Sequence, residues 1–334
     1  YIAGSGLRAA NAALNTTANN IANAQTDGFS RQQVTQQANN ALRVFATYGC
    51  AGAGVDTIAI ERVRDNFYDV KYWNNNCKYG EYSAKSYYMS MVEKYLDDDG
   101  TSGFKVIFDK FSAALQSVTT NSSSETSKQQ FIASAKSLTD YFNNMAGNLK
   151  ELQKDINLEV KESVDSINAI AQKIATLNKQ INTIELSGSR ANELRDQREL
   201  LIDELSEYID VDVTETQIAD VQNASRDTNA TRYVVRIAGG QVLVDGNDYK
   251  QLTYEPRDAS EKVNQTDADG LYDIKWENGN SFNILSSSMG GKLKGLLELR
   301  DGNNETNFNG TVKDFQAGPT DPVTGKAEHT VTVE

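Results

Sequence analysis

The sequence predicts a mainly α-helical protein with β structure, in which a long antiparallel helical coiled coil or bundle forms a rod and carries an inserted small antiparallel β domain. Three observations support this fold class. Apolar residues recur about every 3.5 positions across residues 132–184, as in a coiled coil. Apolar and polar residues alternate around glycine turns in residues 233–284. The N-terminal segment, residues 1–60, is almost uncharged, although the whole chain is 24 % charged.

The N-terminal segment is predicted to form an amphipathic helix followed by a hinge. Its apolar stripe steps by three and four residues, and asparagine and threonine occupy the opposite face. The helix should end near Asn23, and Gly28 should take a positive φ in the following turn. We assign residues 1–45 to this axial helix and hinge. The stripe consists of Leu7, Ala10, Leu14, Thr17 and Ile21.

Residues 46–208 are predicted to form the helical rod. Helices are expected at 61–96 and 104–118, and a longer one should begin at a capping box of Ser122 and Glu125 and run to about residue 186. With ~60 residues at 1.5 Å each, this helix would extend ~90 Å, beyond the span of a compact domain. Its apolar seam comprises Ile132, Ala135, Leu138, Phe142, Met145, Leu149, Leu152, Ile156, Val160, Val164, Ile167, Ile170, Ile174, Leu177, Ile181 and Ile184.

Two further features are expected to pack in the rod. A helix at 191–208 should fold back antiparallel on the long helix. Seven of the fifteen tyrosines lie between Tyr68 and Tyr95, and we predict that they contribute to a helix–helix core. The buried residues of the returning helix should be Leu194, Leu201, Leu205 and Tyr208.

Residues 209–287 are predicted to form the antiparallel β domain. Gly239-Gly240 and Asn278-Gly279 are typical two-residue hairpin turns. Segments 214–231 and 256–269 are polar and are predicted to be loops. Residues 288–303 should return to the rod as a helix, and residues 304–334 should begin a further β insertion.

Composition argues against several functions. The net charge of −13 and the absence of a basic cluster disfavour nucleic acid as a partner. No apolar run reaches the roughly 18 to 20 residues that a membrane helix needs, so membrane insertion is not expected. Cys50, Cys77 and the single histidine, His329, are too few for a zinc site, and two free thiols are favoured over a disulfide.

Motifs for catalysis are also missing. No phosphate loop, zinc-protease helix or nucleophile elbow is present. Asp267, Asp269 and Gly270 resemble part of a calcium loop, but its first and twelfth positions are not carboxylates. We therefore predict a protein that is not an enzyme and that has no catalytic, cofactor or metal site.

Three blocks of residues resemble known proteins. Residues 13–23, ALNTTANNIAN, and 28–31, GFSR, are similar to the N-terminal signature of flagellar rod, hook and hook-associated proteins. Residues 192–206, NELRDQRELLIDELS, and 290–301, GGKLKGLLELRD, resemble the FlgK family of hook–filament junction proteins. The resemblance spans roughly residues 3–301.

The resemblance implies a secreted structural subunit, exported unfolded by the flagellar type III pathway and assembled extracellularly in the bacterial flagellum. The implied partners are other copies of the chain in a ring, the hook protein, a second junction protein and, through a C-terminal region, an export chaperone. Members of this family end in C-terminal helices that pair with the N-terminal helix, so we expect this chain to be an N-terminal portion.

An uncharged helix suits packing among identical copies, because repeated like charges would repel and buried ones would need partners. The candidate assembly interface is therefore Leu7, Leu14, Asn19, Asn20, Ile21, Asn23, Gly28, Phe29 and Arg31.

Two alternative functions fit parts of the sequence. A flagellar-type rod could carry a peptidoglycan hydrolase in its acidic β region. A generic coiled-coil surface adhesin would explain the rod but not the N-terminal block.

Overall fold

The N-terminal part of the chain is a helix on a β-hairpin. The computed structural model describes residues 2–40, 42–43, 50–96, 103–219, 227–264, 266–282, 289–302, 317–320 and 327–329. Helix α1 packs on the antiparallel pair β1 and β4, and the short strands β2 and β3 pair beyond them. The bounds are α1 Ile2–Ala22, β1 Gln32–Ala38, β2 Leu42–Arg43, β3 Cys50–Ala51 and β4 Val55–Arg62.

The rod is built from five helices: α2 Asn66–Leu96, α3 Phe104–Thr120, α4 Glu125–Glu185, α5 Asn192–Tyr208 and α6 Lys292–Asp301. Helix α4 has 61 residues, which corresponds to ~90 Å. Helices α5 and α6 each pack against both α2 and α4, whereas α2 and α4 barely touch. Helices α2 and α4 therefore lie diagonally across a four-helix bundle, and α3 packs on α4.

One continuous apolar core joins the bundle to the β region. Its centre is the middle of α4, where Val160, Val164 and Ile167 are fully buried, and its α5 side is formed by Ile202 and Leu205. The same cluster includes strand residues of the β region and three leucines of α6. The rod and the β region are thus stabilised by shared burial of apolar surface.

The β region contains a four-stranded antiparallel sheet, in the order β5-β6-β7-β8, and a separate β9-β10 pair. Asparagines of α4 bind its backbone: the Asn168 amide both donates to the carbonyl of Leu252 and accepts from its N–H, each at 2.8 Å. The bounds are β5 Val211–Ala219, β6 Asp227–Ile237, β7 Gln241–Asp245, β8 Asp248–Tyr249, β9 Leu252–Pro256 and β10 Tyr272–Trp276. Strands β11 Ala317–Thr320 and β12 Ala327–His329 pair antiparallel.

Several predicted elements are confirmed. The N-terminal helix, the long helix, the returning helix and the helix at 293–300 are all present, and Gly28 has a φ of 75°. Asn278-Gly279 forms a turn, although Lys275 and Ser281 form an isolated bridge where a return strand was expected. Residues 283–288, where that strand was expected to continue, lie outside the described residues. The division into domains stays a prediction.

Four local predictions were wrong. Residues 61–62 end strand β4, and α2 begins at Asn66. The cap of α4 is Ser124 rather than Ser122, because the Ser124 hydroxyl accepts the Ser127 N–H at 3.3 Å. The Gly239-Gly240 hairpin turn also includes Ala238, which has a positive φ. The described residues of segment 214–231, which are 214–219 and 227–231, form strands rather than loop, because their backbones pair antiparallel while their polar side chains project from the sheet.

The tyrosine prediction was also wrong. Of the seven tyrosines between Tyr68 and Tyr95, only Tyr88 is buried, and the others point to solvent. The predicted α4 seam is buried from Leu152 to Ile181 except at the half-buried Leu177. Ile132 and Phe142 are at least half exposed, in the part of α4 on which aromatic side chains of α3 pack. Cys77 is a buried free thiol, and burial raises its pKa to about 12, whereas the side chain of Cys50 lies outside the described residues.

Gly80 sets the distance between α2 and α5. A Cβ at position 80 would overlap the backbone carbonyl of Glu207, whereas one at Gly147 of α4 would meet nothing within 4 Å. We expect Gly80→Ala to lower the free energy of unfolding by about 2 kcal/mol, because the helices must separate. Gly147→Ala should raise it by about 0.5 to 1 kcal/mol through helix propensity. Urea denaturation followed by circular dichroism measures both, and equal effects of the two substitutions would contradict this packing.

Candidate assembly surface and the helix that positions it

The apolar stripe of α1 faces solvent. Leu7, Leu14 and Ile21 are 64 %, 67 % and 72 % exposed. The opposite face, which carries the small residues Ala9 and Thr16, is buried against the β1-β4 hairpin. Sequence periodicity identified the stripe, and none of the residues that the structure describes covers it.

Polar groups fix α1 to its hairpin. The side-chain amide of Asn20 donates to the Gln32 carbonyl and accepts the Gln32 N–H, both at 2.8 Å. Gln36 donates from its side chain to the carbonyl of Ala9 at 3.1 Å. These bonds set the orientation of the helix over the strands.

The other predicted interface residues differ in exposure and in the groups that they contact. The Asn23 side chain donates to Asn19, so the two asparagines bond to each other within the helix end. Phe29 is half-buried and Arg31 is exposed. Gly28 lies against Leu200 of α5, where an added Cβ would be 3.2 Å from the Leu200 Cβ. The structure therefore brings Leu7, Leu14 and Ile21 together on one face and uses Asn20 and Gly28 to hold that face in place.

Helix α5 joins the N-terminal unit to the rod through Asp196. This carboxylate accepts the Ser30 backbone N–H at 3.1 Å and an Arg62 guanidinium N–H at 2.9 Å. On the same helix, Asn192 donates to the carbonyl of Ile60 at 2.9 Å. The loop after α1 and the end of β4 are both anchored on one helix.

Two arginines of α5 join the β sheet to α4. Arg195 forms a two-pronged ion pair with Glu185 at 2.7 Å for each bond and also contacts Glu215 of β5 at 3.0 Å. Arg198 is almost fully buried; its guanidinium donates to Asn178 at 3.0 Å and stacks 3.5 Å from the centre of the Tyr233 ring. Such bidentate and stacked contacts are specific to arginine.

The last polar contacts of α5 reach α2. Trp73 donates its indole N–H to the Asp203 carboxylate at 2.7 Å, and Asn76 donates to the Asp203 carbonyl at 2.9 Å. Burial raises the pKa of Asp203 despite the Trp73 bond. Helix α5 thus contacts the hairpin, α4, the sheet and α2 through buried polar groups.

Sequence reasoning missed this network. The residues predicted to be buried on this helix were Leu194, Leu201, Leu205 and Tyr208, but only Leu205 is fully buried and the other three are half-buried. Charged residues at 195, 196, 198 and 199 cover an arc of about 160° on an α-helix, which a solvent-facing surface can hold, so the sequence did not indicate their burial.

Across the described ranges, no cluster of histidine, cysteine or acidic side chains could hold a metal ion. Asp267 of the calcium-like segment instead accepts bonds from Gln153 and Asn264. No helix in the described part of the chain has the length and apolar character to span a bilayer.

Comparisons with known proteins agree with these features. Residues 1–29 match the family model described as flagella basal body rod protein, so the N-terminal unit is similar to flagellar rod proteins. Residues 89–315 match the model described as flagellar hook-associated protein FlgK helical domain, which is more than half of the 334 residues. The chain belongs to the FlgK family of flagellar hook-associated proteins.

Individual relatives support the same family. The chain is similar to flagellar hook-associated protein 1 of Bacillus subtilis, at 34 % identity over 62 % of this chain and 42 % of the relative. It is 31 % identical to the Escherichia coli protein of the same name over 76 % of this chain and 44 % of the relative. The chain therefore spans less than half the length of these relatives.

A solved structure shows the same fold. The flagellar hook junction protein FlgK from Burkholderia pseudomallei superposes with a TM-score of 0.54, at 22 % identity over 71 % of this chain and 39 % of that one.

Two carboxylates of the network should respond oppositely to pH. Burial raises the pKa of Glu199 above its ordinary 4.5, although Arg198 and Arg64 oppose the shift. Burial also acts to raise the pKa of Glu215, but Arg198 and Arg195 outweigh it, so this pKa lies below 4.5. Glu199 therefore contributes stability that is present below pH 4.5 and is lost as pH rises through its folded pKa. Glu215 contributes stability that is present above pH 4.5 and is lost as pH falls.

We expect Glu199→Gln to be at least as stable as the unsubstituted protein at pH 7. Glu215→Gln should lose roughly 1 to 3 kcal/mol at pH 7, because Arg195 and Arg198 lose a charged partner, and the loss should shrink as pH falls below 4.5. Urea unfolding between pH 3 and pH 8 measures both. The same pH dependence for the two variants would be the contradictory result.

Proposed function

We propose that this chain is part of a structural subunit of the bacterial flagellum that joins hook to filament and acts by self-assembly rather than catalysis. Membership of the FlgK family supports the flagellar role. The solved relative is named a flagellar hook junction protein, which supports the position between hook and filament.

The observation that carries the proposal is the apolar stripe of α1, which is exposed among the described residues. Leu7, Leu14 and Ile21 project from a segment in which no charged residue lies between Ala9 and Thr26. Burying each such side chain would contribute roughly 1.5 to 3 kcal/mol. A surface of this kind is suited to packing among copies of the protein and against neighbouring subunits of the tube.

The anchoring of α1 supports a role in assembly rather than a mobile tether. Asn20 holds α1 to Gln32, and Asp196 holds the following loop to the rod. A fixed angle between α1 and the rod presents the stripe in one direction. Repeated subunits can then form the same contact with each neighbour.

The proposed partners follow from the family. They are other copies of this chain in a ring, the hook protein and a second junction protein, and an export chaperone that binds a C-terminal region. The proposed location is the extracellular flagellum, reached through the flagellar type III export pathway.

The test replaces the stripe in the full-length protein, in a strain of the source bacterium that lacks its own copy. We expect Leu7→Gln, Leu14→Gln and Ile21→Gln together to reduce incorporation into isolated hook–filament structures at least about tenfold, because the loss of three apolar contacts weakens association. Incorporation is measured by immunoblot, and filaments are counted by electron microscopy.

The matched control changes exposed asparagines of α4, away from α1, Asn143→Gln and Asn144→Gln, which should assemble normally. Secretion of soluble protein shows that the stripe variant is exported. Normal filament growth by the stripe variant would refute the role of this surface.

A further inference from the structure

An exposed face of α2 combines tyrosine with lysine. Tyr68, Tyr72, Tyr79 and Tyr82 are 67 %, 52 %, 65 % and 67 % exposed. Their spacing of 4, 7 and 3 residues places them on one side of the helix. Lys71 and Lys78 are exposed at its border, and no acidic residue occurs between positions 70 and 80. We call these six residues the tyrosine-lysine face.

An exposed face of α4 has the complementary chemistry. Glu151, Asp155, Leu158, Glu162 and Asp165 alternate at spacings of four and three residues, so they also share one side. Leu158, at the centre, is 53 % exposed. Lys154 pairs with Glu151 at 2.7 Å, but the other three carboxylates form no ion pair within the described part of the chain. We call these five residues the acidic face.

The two faces point away from each other. Helices α2 and α4 are diagonal in the bundle, and each buries its opposite side in the shared core. The two faces of one protomer therefore cannot meet, although they can meet in neighbouring copies. Contacts between two different surfaces of identical subunits generate rings or helical arrays.

The faces are also displaced along the rod. Helices α2 and α4 run antiparallel, and the hydrogen bond that Tyr88 of α2 donates to Glu159 of α4 shows that these two residues lie at the same height along the rod. Measured along the rod axis, the centre of the tyrosine-lysine face is therefore about 14 residues, or about 20 Å, from the centre of the acidic face. Neighbours joined by these faces would be staggered along the axis by that distance.

We propose that the tyrosine-lysine face of one copy docks on the acidic face of the next copy. The tyrosines pack around Leu158, and Lys71 and Lys78 lie beside Asp155 and Glu162. Tyrosine is enriched at protein interfaces, and complementary charges fix register and exclude wrong pairings. The inference rests on the proposed self-assembly, because it specifies a side-to-side contact between rods.

The test is a charge reversal in the full-length protein, expressed in a strain that lacks its own copy. Lys71→Glu with Lys78→Glu, and separately Asp155→Lys with Glu162→Lys, should each reduce incorporation into hook–filament structures about tenfold or more, since like charges then meet. The four substitutions together should restore incorporation to within about threefold of the unsubstituted protein. The control reversal Lys110→Glu with Lys136→Glu changes exposed lysines outside both faces and should assemble normally.

Cysteine cross-linking tests whether the tyrosine-lysine face of a second copy contacts the acidic face. Tyr79→Cys combined with Leu158→Cys should give cross-linked dimers and higher oligomers in assembled structures, and neither substitution alone should do so. Cross-linking within one chain only, no cross-linking, or charge reversals that assemble normally would each overturn this contact. In each of those cases the unsubstituted protein still incorporates, whereas failure of that protein to incorporate would refute the proposed function itself.

Discussion

The buried carboxylate of Asp196 links the N-terminal unit of this protein to its rod. One oxygen accepts an Arg62 N–H at 2.9 Å, and the other accepts the backbone N–H of Ser30 at 3.1 Å. Strand β4 and the loop after α1 are thereby fixed to helix α5. Removing one partner of a buried charge pair commonly costs about 3 to 5 kcal/mol, because the remaining charge is left without compensation.

The same helix carries the contacts that fix the rest of the rod. Arg195 and Arg198 connect α5 to α4 and the sheet, and Asp203 connects it to α2. Among the described residues, α1 packs on the hairpin that this helix anchors, and the apolar stripe of α1 is exposed for contact with other molecules. The structure therefore separates a rigid internal scaffold from surfaces suited to assembly.

The order of helices and strands along the chain could be predicted from sequence, because helix periodicity and glycine turns are local signals. The apolar stripe at Leu7, Leu14 and Ile21 was predicted for the same reason. The position of α5 charges could not be predicted, because burial of Arg198 depends on partners 20 and 35 residues away, Asn178 and Tyr233. The exposed tyrosines of α2 were misassigned because periodicity identifies a face but not which face is buried.

Hydrogen exchange of the Ser30 amide tests most directly whether Asp196 positions the N-terminal unit. If it does, Asp196→Ala increases exchange at Ser30 and in β4, while Val160 to Ile174 in the core of α4 keep their protection. Glu204→Ala, an exposed change on the same helix, leaves Ser30 protected. Unchanged Ser30 exchange in Asp196→Ala, or equal loss of protection throughout α4, would contradict a local anchoring role for Asp196.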